Sequence, residues 1–298
     1  MSISTLRTLI GLNGRAAPHW ASMRAMRGVL GASIALFGLA LLVSAAIPSD
    51  PAHLAAIRNA AIAGAATGLG ALALLVMRKV DEKGLGLFIA IAAGMMAAAA
   101  IVSLFLPALK FPGAAVLVIS ATLAGYSVMA MLDHLLPHAH PVTGVEMRGT
   151  ERNRMAGLMV IAIAIHNLPE GFAVGASVGQ GVDGSLGTAL SIGLQNIPEG
   201  LIVATALWSI GVNKGLAALA ALGTGLIEPV GAVVGVLTAE AWPRGAPASM
   251  AFAAGAMAFV VINEMIPESM NMVGKLKTLY VTGLSTVLTA IALGWMGA

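Results

Sequence analysis

Apolar residues run almost unbroken through nine stretches of this chain, at about 28–48, 57–77, 87–107, 114–136, 155–178, 185–208, 215–239, 248–270 and 279–297. Each is close to the roughly 20 residues that an α-helix needs to cross the hydrocarbon core of a bilayer. Barrel strands would alternate polar and apolar with period two over about ten residues, and these runs are continuous instead. The pattern predicts an all-α membrane protein, a polytopic helical bundle in which residues 28–298 form a single transmembrane domain behind a tail at 1–27. Little chain is left over for a soluble domain.

Composition agrees, with 58% hydrophobic and 10% charged residues and a mean hydropathy of +0.93, far from soluble averages. Charge placement orients the bundle. Of 16 Lys and Arg, 13 fall in loops on one side, among them Arg24, Arg27, Arg78, Lys83, Arg148, Arg154, Lys214 and Lys275. Only Arg58, Lys110 and Arg244 fall on the other. Positive residues stay inside, so the N-terminus is expected in the cytoplasm and the C-terminus outside. The net charge of +3 therefore reports topology, and without a basic patch interleaved with aromatics no nucleic-acid partner is expected. Residues 1–27 carry four Arg and no acid, as a mitochondrial transit peptide would. The first run is too long for a signal-peptide core and lacks a small-residue cleavage pattern, so 1–27 is read as a retained cytoplasmic tail. The Ala- and Gly-rich composition points to a bacterial inner membrane.

Candidate chemistry lies in two matched inserts, His166-Asn167-Leu168-Pro169-Glu170-Gly171 and Gln195-Asn196-Ile197-Pro198-Glu199-Gly200. A charged side chain at mid-membrane costs roughly 2.5 to 3.5 kcal/mol on insertion scales, so it marks a site or a pathway. His166 with Glu170, and Gln195 with Glu199, are spaced i, i+4, which stacks each pair on one helix face. Pro169 and Pro198 lack an N–H, which frees the carbonyls of Ile165 and Leu194 as further oxygens. The fifth and sixth runs are antiparallel neighbours, and at about 1.5 Å per residue both glutamates fall near the midplane, where they can meet. Asn167 and Asn196 lie roughly 100 degrees around from His166 and Gln195, facing an adjoining compartment. Glu228, beside Pro229 in the seventh run, is a third central carboxylate. On the third run Ala92, Met96, Ala99 and Ser103 share a small-residue stripe, with Met96 a candidate thioether ligand and Met95 turned away to pack. With no cysteine in the chain, an ion must be held by nitrogen, oxygen or thioether sulfur.

The motif pair resembles the ZIP (Zrt/Irt-like) family of divalent-metal transporters, which carry Zn²⁺, and often Fe²⁺, Mn²⁺ or Cd²⁺, into the cytoplasm. The resemblance covers the second to ninth runs and implies an eight-helix core, with the run at 28–48 as an extra N-terminal helix. It implies one metal position built from Met96, His166, Glu170, Gln195 and Glu199, and another from Asn167, Glu170, Asn196, Glu199 and Glu228. Many members have His where Gln195 stands, and some have an acid where Asn196 stands. The amides here lower the negative charge and are expected to weaken the hold on a second ion. Family members often have a His-rich loop after the fourth helix, where this chain has Asp133-His134-Leu135-Leu136-Pro137-His138-Ala139-His140. Asp133, His138 and His140 are accordingly expected on an exit path, and Glu264 on a proton path. Asp50 and His53 are read as surface.

Imidazole, carboxylate and thioether suit Zn²⁺ or Cd²⁺ better than Mg²⁺ or Ca²⁺. The function expected is transmembrane transport of divalent transition-metal cations, with Zn²⁺ as bound substrate and no catalytic cofactor. The partners are metal ions and the lipid bilayer, with a homodimer left open. Carrier, channel and proton-coupled modes all stay open, and the small-residue faces would let one helix group slide on another. The alternative is an intramembrane zinc-dependent hydrolase. It would need two or three histidines and a His-Glu-x-x-His pattern, whereas His166 alone lies well inside a run, so an enzyme is not expected.

Overall fold

The computed structural model describes residues 50–77, 81–135, 149–209 and 212–296, with scattered positions between 31 and 42. Every described element is helical. The order is α1 (Pro51–Val76), α2 (Glu82–Ala98, continued by a π turn at Ala99–Phe105 and by Leu106–Leu109), α3 (Ala115–Leu135) and α4 (Gly149–Ala176). A 3₁₀ turn at Ser177–Gln180 leads to α5 (Gly181–Ser209), then α6 (Lys214–Gly225) and α7 (Glu228–Glu240). Last come α8 (Gly245–Val260, continued by a π turn at Val261–Met265 and by Ile266–Val273) and α9 (Lys275–Met296). Among the described residues 7 segments are long and apolar enough to cross a membrane, with α6 and α7 counted as one. The chain is thus an all-α polytopic membrane protein.

The ends of these helices follow from polar residues that hydropathy passes over. Asp50 accepts from the Ala52 N–H at 2.8 Å and Pro51 takes the first turn, so α1 starts well before position 57. Asn213 caps Leu216 N–H at 2.8 Å and starts α6. The seventh run is two helices, because Pro229 cannot donate to the carbonyl four residues back and the chain turns at Leu226 and Ile227. Pro169 and Pro198, by contrast, sit inside unbroken helices. Pro107 and Pro267 each follow a π turn. The carbonyl of Ser103, which Pro107 cannot satisfy, accepts from Gln180 Nε2 at 3.4 Å. Of the run at 28–48, the described positions are helical; the tail at 1–27 lies outside the described residues.

Alanine dominates the core, with Ala60, Ala93, Ala173, Ala232 and Ala251 fully buried. Small side chains let helix backbones touch, which is how helices associate where lipid is as apolar as leucine. The closest pairings are α1 with α5 and α6, α4 with α7, α3 with α8, and α2 with α9. Gly171 on α4 shows how close: a Cβ there would lie 1.9 Å from the Glu228 carbonyl oxygen on α7. These contacts lock the helices that carry the matched inserts against α1 and α7. On the outside, side chains such as Val76, Val116 and Leu276 stand exposed, as expected of a lipid-facing surface.

Candidate metal centre

α4, α5 and α7 bring two amide–carboxylate pairs to the centre of the bundle. Gln195 Nε2 donates to Glu170 Oε1 at 2.5 Å, and Asn196 Nδ2 donates to Glu228 Oε1 at 2.6 Å and to the Ala63 carbonyl of α1 at 2.9 Å. Glu170, Asn167 and Glu228 are wholly buried, as to within 1% are Gln195 and Asn196. Glu228 opens α7, so its carboxylate sits at the positive end of a half-helix. Glu199 is half-buried. Met96 on α2 is buried.

His166 is directed to a partner that sequence spacing does not reveal. Its Nε2 stands 3.1 Å from Glu264 Oε2 on α8, both side chains being largely buried. Glu264 lies in the π turn at Val261–Met265, and such turns recur at functional sites. Of the expected exit path, Glu264 thus stands against His166 and Asp133 lies in the last turn of α3, while His138 and His140 lie outside the described residues.

Several buried polar atoms at this centre have no hydrogen-bond partner: both side-chain polar atoms of Asn167, Oε2 of Glu170, Oε1 of Gln195, Oδ1 of Asn196, Oε2 of Glu228 and Oε1 of Glu264. Leaving one such group unpaired costs roughly 1 to 3 kcal/mol, and more if it is charged. So many in one place are unusual in a folded protein and suit a cation that takes oxygen ligands. The Gln195–Glu170 pair offers two of these oxygens, and the Asn196–Glu228 pair offers two more. Among the described residues no three of the His, Asp and Glu side chains already converge on one point. The hydrogen bonds give the reason, since amides hold Glu170 and Glu228 and Glu264 stands against His166.

Two groups beside these pairs escaped sequence reasoning. The Ala63 carbonyl is a main-chain group with no sequence signal. Thr67 has a buried hydroxyl without a partner, and a Cβ on Gly225 would meet Thr67 Oγ1 at 2.8 Å, which puts that hydroxyl at the break before Glu228. Where α1 begins and α7 ends, His53 is buried and its Nε2 lies 2.6 Å from Glu240 Oε1. It is therefore a helix tie rather than a free surface residue.

The sequence matches a family model described as "ZIP Zinc transporter" over residues 137–289. It is 41% identical over 217 residues to "Zinc transporter GufA" of Myxococcus xanthus, covering 70% of this chain and 85% of that protein. It is 40% identical over 249 residues to "Zinc transporter ZIPB" of Bordetella bronchiseptica, covering 80% of each. With "Zinc transporter ZupT" of Shigella flexneri it shares 31% identity over 219 residues, covering 69% of this chain and 83% of that protein. With the buried donor set on α4, α5 and α7 and matches of this length, the chain belongs to the ZIP zinc transporter family.

Proposed function

We propose that this protein carries Zn²⁺ through the bacterial inner membrane into the cytoplasm, with Cd²⁺, Fe²⁺ and Mn²⁺ as further cargo. In this reading the N-terminus faces the cytoplasm and the C-terminus the outside. The observation that carries it is the set of buried, unpartnered oxygens on Glu170, Gln195, Asn196 and Glu228, which a divalent cation would satisfy.

The centre takes one ion between His166, Glu170, Gln195, Glu199 and Met96, and a second between Asn167, Glu170, Asn196, Glu199 and Glu228. To admit the second, Asn196 must turn its amide away from Glu228 and present Oδ1. That exchange costs a short hydrogen bond, so the second position is the weaker. Release runs from His166 past Glu264 towards Asp133 and the loop that carries His138 and His140. An amide-rich donor set with a single imidazole is poor at activating water, and transport fits it better than hydrolysis.

The test is Zn²⁺ and Cd²⁺ uptake into proteoliposomes by the parent, His166→Ala and Glu199→Ala. Saturable uptake lost in both variants supports the reading. Tight binding by the parent without uptake would sink it.

A further inference from the structure

Between α3 and α8 on one side and α4 and α7 on the other lies an open cleft of about 530 Å³. Its walls are almost entirely apolar, with Val128, Leu168, Pro169, Phe172, Val234 and Phe252 among them. Leu168 and Pro169 fall in the chain between Asn167 and Glu170, so the back wall of the cleft is the reverse side of the turn that carries the central donors. Phe172 of α4 and Phe252 of α8 meet edge to face across it, with ring centres 5.8 Å apart. Ala124, Val128 and Val234 at its rim are exposed, on helices whose outer faces are apolar.

The cleft changes character towards the end where α7 gives way to α8. There Ser249 Oγ donates to Thr238 Oγ1 at 3.1 Å, and both residues line the wall. Trp242, half exposed, closes that end, and the exposed Arg244 follows two residues later at the start of α8. An apolar slot at membrane depth, then an aromatic, then a cation repeats the order of acyl chain, interface and phosphate along a glycerophospholipid.

Along α3 the lining runs from Ala121 to Leu132, about 16 Å at the helical rise. A single hydrocarbon chain lies along a slot of that length. We propose that this cleft is a phospholipid site, holding one acyl chain against the reverse face of the Leu168–Pro169 turn with the lipid phosphate at Arg244. With that chain in place α3 and α8 cannot close on α4 and α7, so the lipid bears directly on any movement of the central helices.

Native mass spectrometry of the full chain in detergent, titrated with phosphatidylglycerol, reads the site without any transport assay. The parent is expected to retain one lipid saturably. Ala124→Trp and Val234→Trp, which fill the rim from opposite helices, should each weaken retention by at least about tenfold, and Arg244→Gln by about fivefold, the share of one interfacial cation. Leu123→Trp, on the exposed face of α3 but outside the cleft wall, should retain lipid as the parent does. Diacylglycerol, with the chains but no phosphate, should bind the parent about as weakly as phosphatidylglycerol binds Arg244→Gln. Retention that does not saturate, or that is the same in the parent and both rim variants, would reduce the cleft to ordinary boundary lipid and overturn the proposal.

Discussion

His166 on α4 and Glu264 on α8 stand 3.1 Å apart, so the His166 imidazole already has a carboxylate partner on another helix. An ion held by His166 would therefore have the Glu264 carboxyl group within a hydrogen bond's reach. Glu264→Gln keeps the shape and removes the charge. Zn²⁺ uptake is expected to fall about 10-fold, the usual cost of disturbing a ligand's supporting group, with equilibrium Zn²⁺ affinity changed far less. Stopped-flow uptake beside equilibrium binding checks this, and an equal fall in both would make Glu264 a primary ligand.

Acidity should oppose binding. Imidazole and carboxylates must be free of protons to hold the ion, so loading releases protons and affinity falls as pH falls. Glu170→Gln removes one such group from a wholly buried position. Isothermal titration at several pH values is expected to show a shallower dependence of log affinity on pH in this variant than in the parent. An unchanged slope would mean that Glu170 takes no part in the exchange.

Asn196 donates to Glu228 at 2.6 Å, standing in for a cation beside that carboxylate. Asn196→Asp replaces the donor with a second acid and forfeits its hydrogen bonds to Glu228 and to the Ala63 carbonyl, each worth about 0.5 to 1.5 kcal/mol. The metal-free protein should melt several degrees lower, and added Zn²⁺ should raise its melting temperature by more than it raises the parent's. Thermal unfolding in detergent with chelator and with Zn²⁺ measures both shifts. A variant that melts lower and gains no extra stability from Zn²⁺ would count against a second ion position at Glu228.

Much of this centre was legible in the sequence because helical periodicity makes it so. Spacing of i, i+4 puts His166 above Glu170 on one face, and counting residues along two antiparallel runs gives their common depth. The contact between His166 and Glu264 was not legible for two reasons. α4 and α8 meet only through tertiary packing, and the π turn at Val261–Met265 shifts the phase of every residue after it by about 100 degrees relative to a regular helix. The break before Glu228 was hidden because Leu226 and Ile227 are as apolar as their neighbours, so hydropathy ran straight over it. Asn196 could be read as a donor from its position, but its bond to the Ala63 carbonyl is made to a main-chain group, which residue type does not report.

Met96 is buried on α2 within an apolar cluster, where its side chain suits a core position as well as a thioether ligand. Met96→Leu separates the roles, since a volume-conserving apolar swap usually costs less than about 1.5 kcal/mol. Stability should hold while Cd²⁺ affinity drops more than Zn²⁺ affinity, because the softer ion gains more from sulfur. Competition binding of the two metals decides it; an unchanged Cd²⁺ to Zn²⁺ ratio returns Met96 to the core.

The backbone contact between α4 and α7 sets where Glu228 stands relative to Glu170. A methyl group at Gly171 would sit 1.9 Å from the Glu228 carbonyl, and one at Gly231 would sit 2.3 Å from the carbonyl of Leu168. Neither clash is with a flexible side-chain end, so the helices themselves must part. Gly171→Ala is expected to cost about 1 to 3 kcal/mol, the range for overpacking a tight core, and to weaken Zn²⁺ binding because the carboxylates of α4 and α7 are pushed apart. Gly283→Ala on α9, where an added Cβ meets nothing within 4 Å, is the matched control and should change neither property. Thermal unfolding and Zn²⁺ titration of both variants test the point. If Gly171→Ala binds Zn²⁺ as the parent does despite melting lower, the ion does not bridge the two helices.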